Sequence, residues 1–190
     1  MAGGTDLLVQ MKNCLRRVSH VVSLANIPDL DRITYRRGEG LHLGPLATHD
    51  RVTLDPLIRE KFTALALACG AVGSPQIRNL GTVAGNLANA SPSADSAPAL
   101  LALGAEVLVT GPDGERRVDL AEFFLGPGRT VLRSSELIKE VFVPEPAPGT
   151  RSTYLKLGRR RALEVAICGV ALTARPEAGG WRGCSGRTWV

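Results

Sequence analysis

Glycines and short polar side chains are concentrated in one stretch of the sequence, residues 73–95, which lies between two segments with helical hydrophobic spacing. The stretch contains the three glycines Gly73, Gly81 and Gly85, which allow backbone conformations that other residues resist. A loop of this composition can bring several backbone N–H groups together around an anion, most often a phosphate. The alternative interpretation is a structural loop that only needs tight turns, because a single glycine motif is a weak signal.

A second glycine-containing segment, Ala2-Gly-Gly-Thr-Asp-Leu-Leu8, leads directly into a helical pattern. Its two glycines allow the backbone to approach a ligand closely, and Thr5 or Asp6 is a candidate helix N-cap. Two loops of this kind in one small domain suit a ligand with two phosphate groups better than either loop alone. Asp95, at the start of an Ala/Leu-rich helix, is by its spacing an N-cap, although a carboxylate there can also accept hydrogen bonds from a ligand hydroxyl.

The sequence shows no residue pattern for side-chain catalysis, metal binding or a Rossmann-type NAD site. No set of nucleophile, base and acid is visible, and the four cysteines form no C-x-x-C pair, so no catalytic residue and no metal site is predicted. The G-x-G-x-x-G fingerprint of a Rossmann NAD site is absent. His49 follows a predicted strand and is interpreted as a structural hydrogen-bonding residue. The reactive centre therefore has to come from a cofactor that the protein orients.

The elements that must position the two loops are predicted from hydrophobic spacing and from helix and turn signals. Helices are predicted at residues 5–11, 55–70 and 94–103, with a helical turn at 121–125. Strands are predicted at residues 18–24, 41–46, 106–110, 116–120, 137–143, 152–157 and 165–173. Residues 144–149 are the best linker candidate. The residues after about 176 continue no upstream pattern and are interpreted as a scrambled tail.

Composition excludes some partners. The chain has 190 residues, a net charge of +5 and only 4% aromatic residues, so it offers no stacking platform for single-stranded nucleic acid. Its one notable basic run, Arg159-Arg-Arg161, is interpreted as a solvated strand end. Neither a signal peptide nor an apolar run long enough to span a membrane is visible. We therefore expect a cytoplasmic protein that binds neither nucleic acid nor membrane.

The two loop motifs together resemble a known family. The opening Ala2-Gly-Gly-Thr-Asp-Leu-Leu8 and the later Ile77-Arg-Asn-Leu-Gly-Thr-Val-Ala-Gly-Asn-Leu-Ala-Asn-Ala-Ser-Pro-Ser-Ala-Asp95 resemble the FAD-binding medium subunit of molybdenum hydroxylases. These are enzymes of the xanthine dehydrogenase and aerobic carbon monoxide dehydrogenase type. The resemblance implies an α+β fold: an FAD-binding domain of the PCMH (vanillyl-alcohol oxidase-like) type over residues 1–146, then the start of a small α+β C-terminal domain over residues 147–190. Family members are longer at both ends, so the chain is expected to be truncated, without the N-terminal strands.

The resemblance also implies FAD as the cofactor and assigns it to particular residues. The first loop is expected to hold the pyrophosphate through backbone N–H groups, and the second loop, residues 82–86, to hold it from the other side. Ile138 is expected to pack against the flavin and Lys156 to lie near the isoalloxazine, although from the residues alone they are a core residue and a solvated lysine. The implied cofactor-binding residues are Ala2, Gly3, Gly4, Thr5, Asp6, Leu7, Val72, Gly73, Thr82, Val83, Ala84, Gly85, Asn86, Asp95, Ile138 and Lys156.

The function implied by the resemblance is electron transfer. Electrons would pass from a small 2Fe-2S subunit through FAD to NAD, a quinone or oxygen, while a large molybdopterin-binding subunit hydroxylates the substrate in a dimer of heterotrimers. Ala84 departs from the family pattern, which usually has glycine there, and its methyl group can crowd the pyrophosphate. Two alternatives stay open: a truncated non-functional or regulatory fragment that binds no flavin, and a stand-alone flavin oxidoreductase.

Overall fold

The computed structural model describes residues 1–159, 164–177 and 180–189, and within these ranges the chain forms eight short helices and ten strands. The helices are α1 (Leu7–Lys12), α2 (His49–Leu54), α3 (Pro56–Lys61), α4 (Thr63–Gly70), α5 (Pro75–Leu80), α6 (Val83–Asn89), α7 (Ser96–Ala102) and α8 (Leu120–Phe123). The strands are β1 (Ile33–Arg36), β2 (Gly40–Leu43), β3 (Glu106–Gly111), β4 (Gly114–Asp119), β5 (Phe124–Gly126), β6 (Arg129–Thr130), β7 (Leu137–Pro144), β8 (Arg151–Leu157), β9 (Cys168–Glu177) and β10 (Gly180–Trp189).

An antiparallel five-stranded sheet in the order β1-β2-β7-β3-β4 carries the main core. Alternate residues of its strands, such as Leu41 and Val107, are fully buried. They join one apolar cluster with helical residues such as Ile58, Leu65 and Leu87. The result is a two-layer α+β arrangement, because an antiparallel sheet with one apolar face is completed by covering that face with helices. The predicted α+β class is therefore confirmed.

The helix predicted over residues 55–70 is present but broken. Its start is as predicted, since Asp55 accepts hydrogen bonds from the N–H groups of Leu57 and Ile58 and proline follows at the first helical position. Phe62 leaves the helical conformation (φ −123°, ψ 47°) and separates α3 from α4. This break lets the fully buried Phe62 ring join the main core, while α4 turns one face toward a second sheet.

The prediction of a loop over residues 73–95 was wrong in one respect, because the stretch contains the two helices α5 and α6. Each begins at a capping residue. Ser74 accepts from the N–H of Ile77, and Thr82 accepts from the N–H of Gly85. Helices of six and seven residues are too short to show a hydrophobic period, and capping and tertiary contacts stabilise them instead.

One strand prediction was wrong and one strand was not predicted. Residues 18–24 form no strand, and most of their apolar side chains are exposed, as with Val22 at 73%. A β-branched run becomes a strand only when a neighbouring strand accepts its hydrogen bonds. Conversely, Ile33–Arg36 was not predicted and forms β1 at the edge of the sheet.

A second, three-stranded sheet in the order β10-β9-β8 follows residues 144–149. β10 pairs antiparallel with β9, so the stretch after residue 176, expected to continue no pattern, contains a strand. Tyr154 and Ala171 of this sheet pack with Ala64 and Ala68 of α4. Arg160 and Arg161 of the predicted basic run lie outside the described residues. A domain boundary near residue 146 stays a prediction.

Candidate functional site

A cleft of about 730 Å³ separates the first residues of the chain from the segment around the start of α6. Clefts of roughly 300–1,000 Å³ are the usual size of cofactor and small-molecule sites. Its lining combines both glycine-containing segments with a few residues from elsewhere in the sequence. The lining residues are Met1, Ala2, Gly3, Gly4, Thr5, Asp6, Leu7, Gln10, Arg16, His49, Val72, Ile77, Gly81, Thr82, Gly85, Asn86, Ala88, Asn89 and Gly128.

The two glycine-containing segments are in direct contact at Gly3. A Cβ atom built on Gly3 would lie 1.8 Å from the carbonyl oxygen of Leu80, so a larger residue cannot occupy this position without moving one backbone away from the other. Gly4 has a φ of +71°, a conformation in the left-handed region that favours glycine. We call residues 2–7 the first wall of the cleft and residues 81–89 the second wall. Gly3 lets the two walls touch, and Gly4 shapes the turn of the first wall.

Backbone N–H groups of the first wall are available to a ligand. Within the described part of the chain, no protein atom accepts a hydrogen bond from the N–H groups of residues 2–5. The carbonyl of Gly4 accepts a hydrogen bond from the N–H of Leu8, and the carbonyl of Asp6 accepts one from the N–H of Gln10. The carbonyl groups of Gly4 and Asp6 are therefore bonded to α1, whereas the N–H groups of residues 2–5 have no acceptor among the described residues. Successive open N–H groups of this kind are a binding site for an anion.

The second wall is held in place by the segment that begins α2. The N–H of His49 donates to the carbonyl of Gly81 (3.0 Å), and the N–H of Val83 donates to the carbonyl of Ala47 (3.0 Å). At the same point Thr82 Oγ1 accepts from the N–H of Gly85 (3.0 Å) and caps α6. A Cβ on Gly85 would approach Thr82 Oγ1 to 2.8 Å, so glycine preserves the cap.

The side chain of Asn86 is oriented from behind the cleft. Its Oδ1 accepts a hydrogen bond from the hydroxyl of the fully buried Ser96 (2.8 Å). This bond uses the amide oxygen and leaves the two N–H donors of Nδ2 for other partners. Asn86 therefore enters the cleft wall as a fixed hydrogen-bond donor, and Ser96 is a supporting residue that the sequence did not indicate.

His49 is a lining residue that sequence reasoning treated only as structural. Its side chain is almost completely buried, at 1% exposure, and Nδ1 lies 3.5 Å from Sγ of Cys69. Burial, and to a smaller extent the positive charge of Arg78, lowers the pKa of His49 to about 4. The imidazole is consequently neutral near pH 7.

Asp95 and Lys156 are brought together, but outside the cleft lining. Lys156 Nζ lies 2.8 Å from Asp95 Oδ2 and also donates to the carbonyl of Ala71 (3.1 Å). The hydroxyl of Tyr154 donates to Asp95 Oδ1 (2.7 Å). Burial raises the pKa of Tyr154, and the hydrogen bond to Asp95 adds to the effect. Asp95 precedes α7, yet its side chain makes no capping hydrogen bond.

Three other residues that the resemblance implied for the cofactor lie in the main core. Val83, Ala84 and Ile138 are at most 8% exposed and belong to the same apolar cluster. The methyl group of Ala84 is therefore packed among apolar side chains rather than in the cleft lining. Its expected crowding of a pyrophosphate finds no support in this arrangement.

A sequence model of the family described as the FAD binding domain in molybdopterin dehydrogenase matches residues 1–146. The chain belongs to this family. The assignment agrees with the resemblance carried by the two glycine-containing segments, and both segments lie inside the matched residues. The chain is thus related to the FAD-binding medium subunits of molybdenum hydroxylases.

Relatives and solved structures support the family assignment over nearly the whole chain. The FAD-subunit of nicotinate dehydrogenase from Eubacterium barkeri is 32% identical over 98% of this chain and 66% of its own length. A putative xanthine dehydrogenase FAD-binding subunit from Escherichia coli K12 is 33% identical over 94% of this chain and 62% of its own. The structure of carbon monoxide dehydrogenase from Hydrogenophaga pseudoflava matches with a TM-score of 0.94 at 30% identity, covering 100% of this chain and 65% of that one. The chain spans less than two thirds of the length of these relatives.

Within this family fold, the structure separates the implied cofactor-binding residues into two groups. Ten lie in the cleft lining: Ala2, Gly3, Gly4, Thr5, Asp6, Leu7, Val72, Thr82, Gly85 and Asn86. Six lie outside it: Gly73, Val83, Ala84, Asp95, Ile138 and Lys156. Gly73, with a φ of +44°, shapes the turn before α5.

Several lining residues carried no usable sequence signal. Gln10 and Arg16 lie in segments of ordinary composition. Gly128 belongs to the turn Gly126-Pro-Gly128, which is distant along the chain from both glycine-containing segments. His49 did carry one signal, since it follows a predicted strand, but a single histidine does not distinguish a core residue from a site residue. In the part of the chain that the structure describes, no cluster of His, Cys, Asp or Glu is suited to a metal ion. No helix among the described residues is long and apolar enough to cross a bilayer.

Proposed function

We propose that this chain binds FAD in the cleft and serves as the electron-transfer subunit of a molybdenum-containing hydroxylase. In this proposal electrons arrive from an iron–sulfur subunit and leave to NAD, a quinone or oxygen. The observation that carries it is the contact of the two glycine-containing segments at Gly3: residues 2–5, whose N–H groups have no acceptor among the described residues, line the same cleft as Thr82 and Asn86.

The residues present fit the cofactor. A dinucleotide needs a cleft of several hundred cubic ångströms with donors for two phosphates, and the cleft offers about 730 Å³ and donors on both walls. Bound FAD supplies reversible two-electron chemistry that no side chain of this chain offers. The residues of the first wall would bind the pyrophosphate through backbone N–H groups, and Asn86 would donate from the second wall.

Asp95 and Lys156 have a supporting part in this proposal. Lys156 lies at the junction of α4, α7 and β8, where its charge is balanced by Asp95. We propose that the pair fixes the second sheet against the helices that carry the cleft.

The partners are proposed from the relatives. A carbon monoxide dehydrogenase medium chain from Hydrogenophaga pseudoflava is 32% identical to this chain, and its name places it in a multi-subunit enzyme. We infer that this chain assembles in the cytoplasm with a large molybdopterin-binding subunit and a small 2Fe-2S subunit, as a dimer of heterotrimers. The relatives act on different compounds, so the substrate is left unassigned.

The experiment that tests FAD binding is gel filtration of the purified chain with excess FAD, followed by its visible absorption spectrum. We expect flavin bands to co-elute with the wild-type chain. Gly3→Ala should lose them, because the added Cβ forces the two walls apart. Gly70→Ala is the matched control, since its Cβ would meet only the side chain of Thr53, outside the cleft.

Each alternative gives a different result. A wild-type chain that is folded by circular dichroism but carries no flavin would contradict the proposal and favour a fragment that binds no cofactor. Flavin binding together with capture of the molybdopterin and iron–sulfur subunits in a pull-down would support it. Flavin binding together with turnover of a small substrate by the chain alone would favour a stand-alone flavin oxidoreductase.

A further inference from the structure

The imidazole of His49 lies between the core and the cleft, and its two nitrogens have different surroundings. Nδ1 faces the core, 3.5 Å from Sγ of the fully buried Cys69. The other edge of the ring faces Gly81, because a Cβ built on Gly81 would come 3.4 Å from Cδ2, the carbon bonded to Nε2. Gly81 and His49 both line the cleft. The ring therefore separates a thiol on one side from the ligand space on the other.

Nε2 of His49 belongs to a residue that lines the cleft although it is only 1% exposed. No described residue forms a hydrogen bond with Nε2. Three side-chain nitrogens and oxygens in the described part of the chain are fully enclosed and form no hydrogen bond: His42 Nε2, Arg78 Nε and Thr173 Oγ1. Nε2 of His49 also forms no hydrogen bond, but it is not among these fully enclosed atoms. A ligand in the cleft can therefore reach it.

The contact with Cys69 determines which nitrogen carries the proton. Burial raises the pKa of the Cys69 thiol, and the charge of Asp95 adds to the effect, so the thiol stays protonated. A neutral imidazole nitrogen is a good acceptor, whereas a thiol sulfur is a weak one. An S–H group that donates to Nδ1 would place the proton of the neutral ring on Nε2.

We propose that His49 is a ligand-binding residue of the cleft and that Cys69 is its positioning residue: the thiol fixes the Nε2–H tautomer, and Nε2–H donates a hydrogen bond to a phosphate oxygen of the bound cofactor. The identity of the ligand rests on the proposed function. The location agrees with it, because the backbone of His49 is also bonded to Gly81, next to the capping residue Thr82. A neutral donor at this place adds to the backbone N–H groups of the first wall.

The tautomer is tested directly by long-range ¹H–¹⁵N NMR of the ¹⁵N-labelled chain without added cofactor. We expect His49 to show a protonated Nε2 and an unprotonated Nδ1. In Cys69→Ala the fixed tautomer should give way to a mixture, since the donor to Nδ1 is gone. In Cys69→Ser the hydroxyl should preserve the Nε2–H form. A wild-type ring protonated on Nδ1 would overturn the inference whatever the cofactor affinity.

The ligand contact is tested by fluorescence titration with FAD. His49→Leu should raise the Kd about 10- to 100-fold, which is the usual loss when a hydrogen bond to a charged group is removed. His49→Gln retains an N–H donor on a side chain of similar reach and should recover part of that loss. His20→Leu is the matched control, because His20 is exposed and contacts Ser19 outside the cleft, and its Kd should equal that of the wild type.

The outcomes separate the two proposals. If the wild-type chain binds no FAD, the proposed function fails and the phosphate contact fails with it. If FAD binds to the wild type and equally well to folded His49→Leu, only the inference about His49 fails. If His49→Leu does not fold, an unchanged Kd in Cys69→Ala together with an Nδ1–H ring would overturn the inference as well.

Discussion

At the scale of single residues, the cleft depends on two glycines that have no Cβ atom and on one histidine whose imidazole is uncharged. Gly3 provides space for the carbonyl of Leu80, and Gly85 preserves the Thr82 cap. His49 is buried without a full charge. Each of these features would be lost by a small chemical change, because a methyl group or a proton at these places meets closely packed backbone or apolar surroundings.

The burial of His49 predicts a pH dependence of stability. Its pKa is lowered to about 4 in the folded chain, mainly by burial, against an ordinary value of 6.5. The unfolded chain therefore binds the proton more readily between these values, so the free energy of unfolding should fall as the pH drops from about 6.5 to about 4. The loss is about 3 kcal/mol for this residue.

Urea denaturation at several pH values measures this effect. His49→Gln does not titrate, so its unfolding free energy should depend less on pH over the same window. The exposed His20→Gln should follow the wild-type curve. Parallel curves for the wild type and His49→Gln would contradict the assignment of a buried neutral imidazole.

At the scale of secondary-structure elements, α6 has two faces with different tasks. Gly85 and Asn86 lie on the side that lines the cleft, whereas Val83, Ala84 and Leu87 are buried in the main core. The helix is only seven residues long, so its position depends on the Thr82 cap and on this apolar face rather than on intrinsic helix stability. Ala84 thus contributes to holding the wall in place.

If the methyl group of Ala84 crowded the cofactor, Ala84→Gly would bind FAD more tightly. The buried position of Ala84 instead predicts a loss of stability with little change in the Kd for FAD. Ala84→Gly should lower the free energy of unfolding by about 1–2 kcal/mol, through poorer helix propensity and the loss of a buried methyl group. The Kd for FAD should stay within about threefold of the wild type, a difference below 1 kcal/mol. Chemical denaturation and flavin titration measure the two quantities.

Ala88→Gly is the control for the free energy of unfolding only: Ala88 lies on the same helix and is exposed at the cleft, so its substitution should cost only the helix propensity, about 1 kcal/mol. An Ala84→Gly chain that binds FAD tenfold more tightly would show that the methyl group does crowd the cofactor.

At the scale of the whole molecule, α4 joins the two halves. Leu65 and Cys69 belong to the main core, while Ala64 and Ala68 pack against the second sheet. The Asp95–Lys156 pair adds a polar connection at the same junction. The second sheet is thereby fixed to the helices behind the cleft by both apolar and charged contacts.

The buried pair predicts non-additive stability changes. Lys156→Met should lower the free energy of unfolding by about 3 kcal/mol, because it leaves a buried carboxylate with only the Tyr154 hydroxyl. Adding Asp95→Asn should recover part of this loss, since no unpaired charge remains. Thermal and urea unfolding of the two single variants and the double variant give the coupling energy.

Lys139→Met is the control for this cycle. Lys139 pairs with Glu115 at 2.6 Å, but both side chains are about half exposed, so its loss should cost less than about 1 kcal/mol. Equal costs for Lys139→Met and Lys156→Met would show that the Asp95–Lys156 pair does not stabilise the junction.

The sequence by itself determined the parts of this protein that depend on local signals. The Asp55-Pro56 helix start and the strands around residues 106–110 and 137–143 follow from residue type and spacing, and the structure confirms these elements. The two glycine-containing segments also carry enough residue-specific information to indicate the family. Local signals suffice here because caps, turns and alternation are decided by neighbours in the chain.

Only the tertiary structure decided which residues meet. The short helices α5 and α6 have no hydrophobic period of their own. Residues 18–24, expected to form a strand, pair with no neighbouring strand, although the N–H of Leu24 donates to the carbonyl of Met1. Asp95 and Lys156 lie 61 positions apart and His49 and Cys69 20 positions apart, so no local pattern joins them. The direction of a side chain toward core or cleft is fixed when distant segments pack, because burial of apolar area and pairing of buried polar groups are properties of the assembled fold.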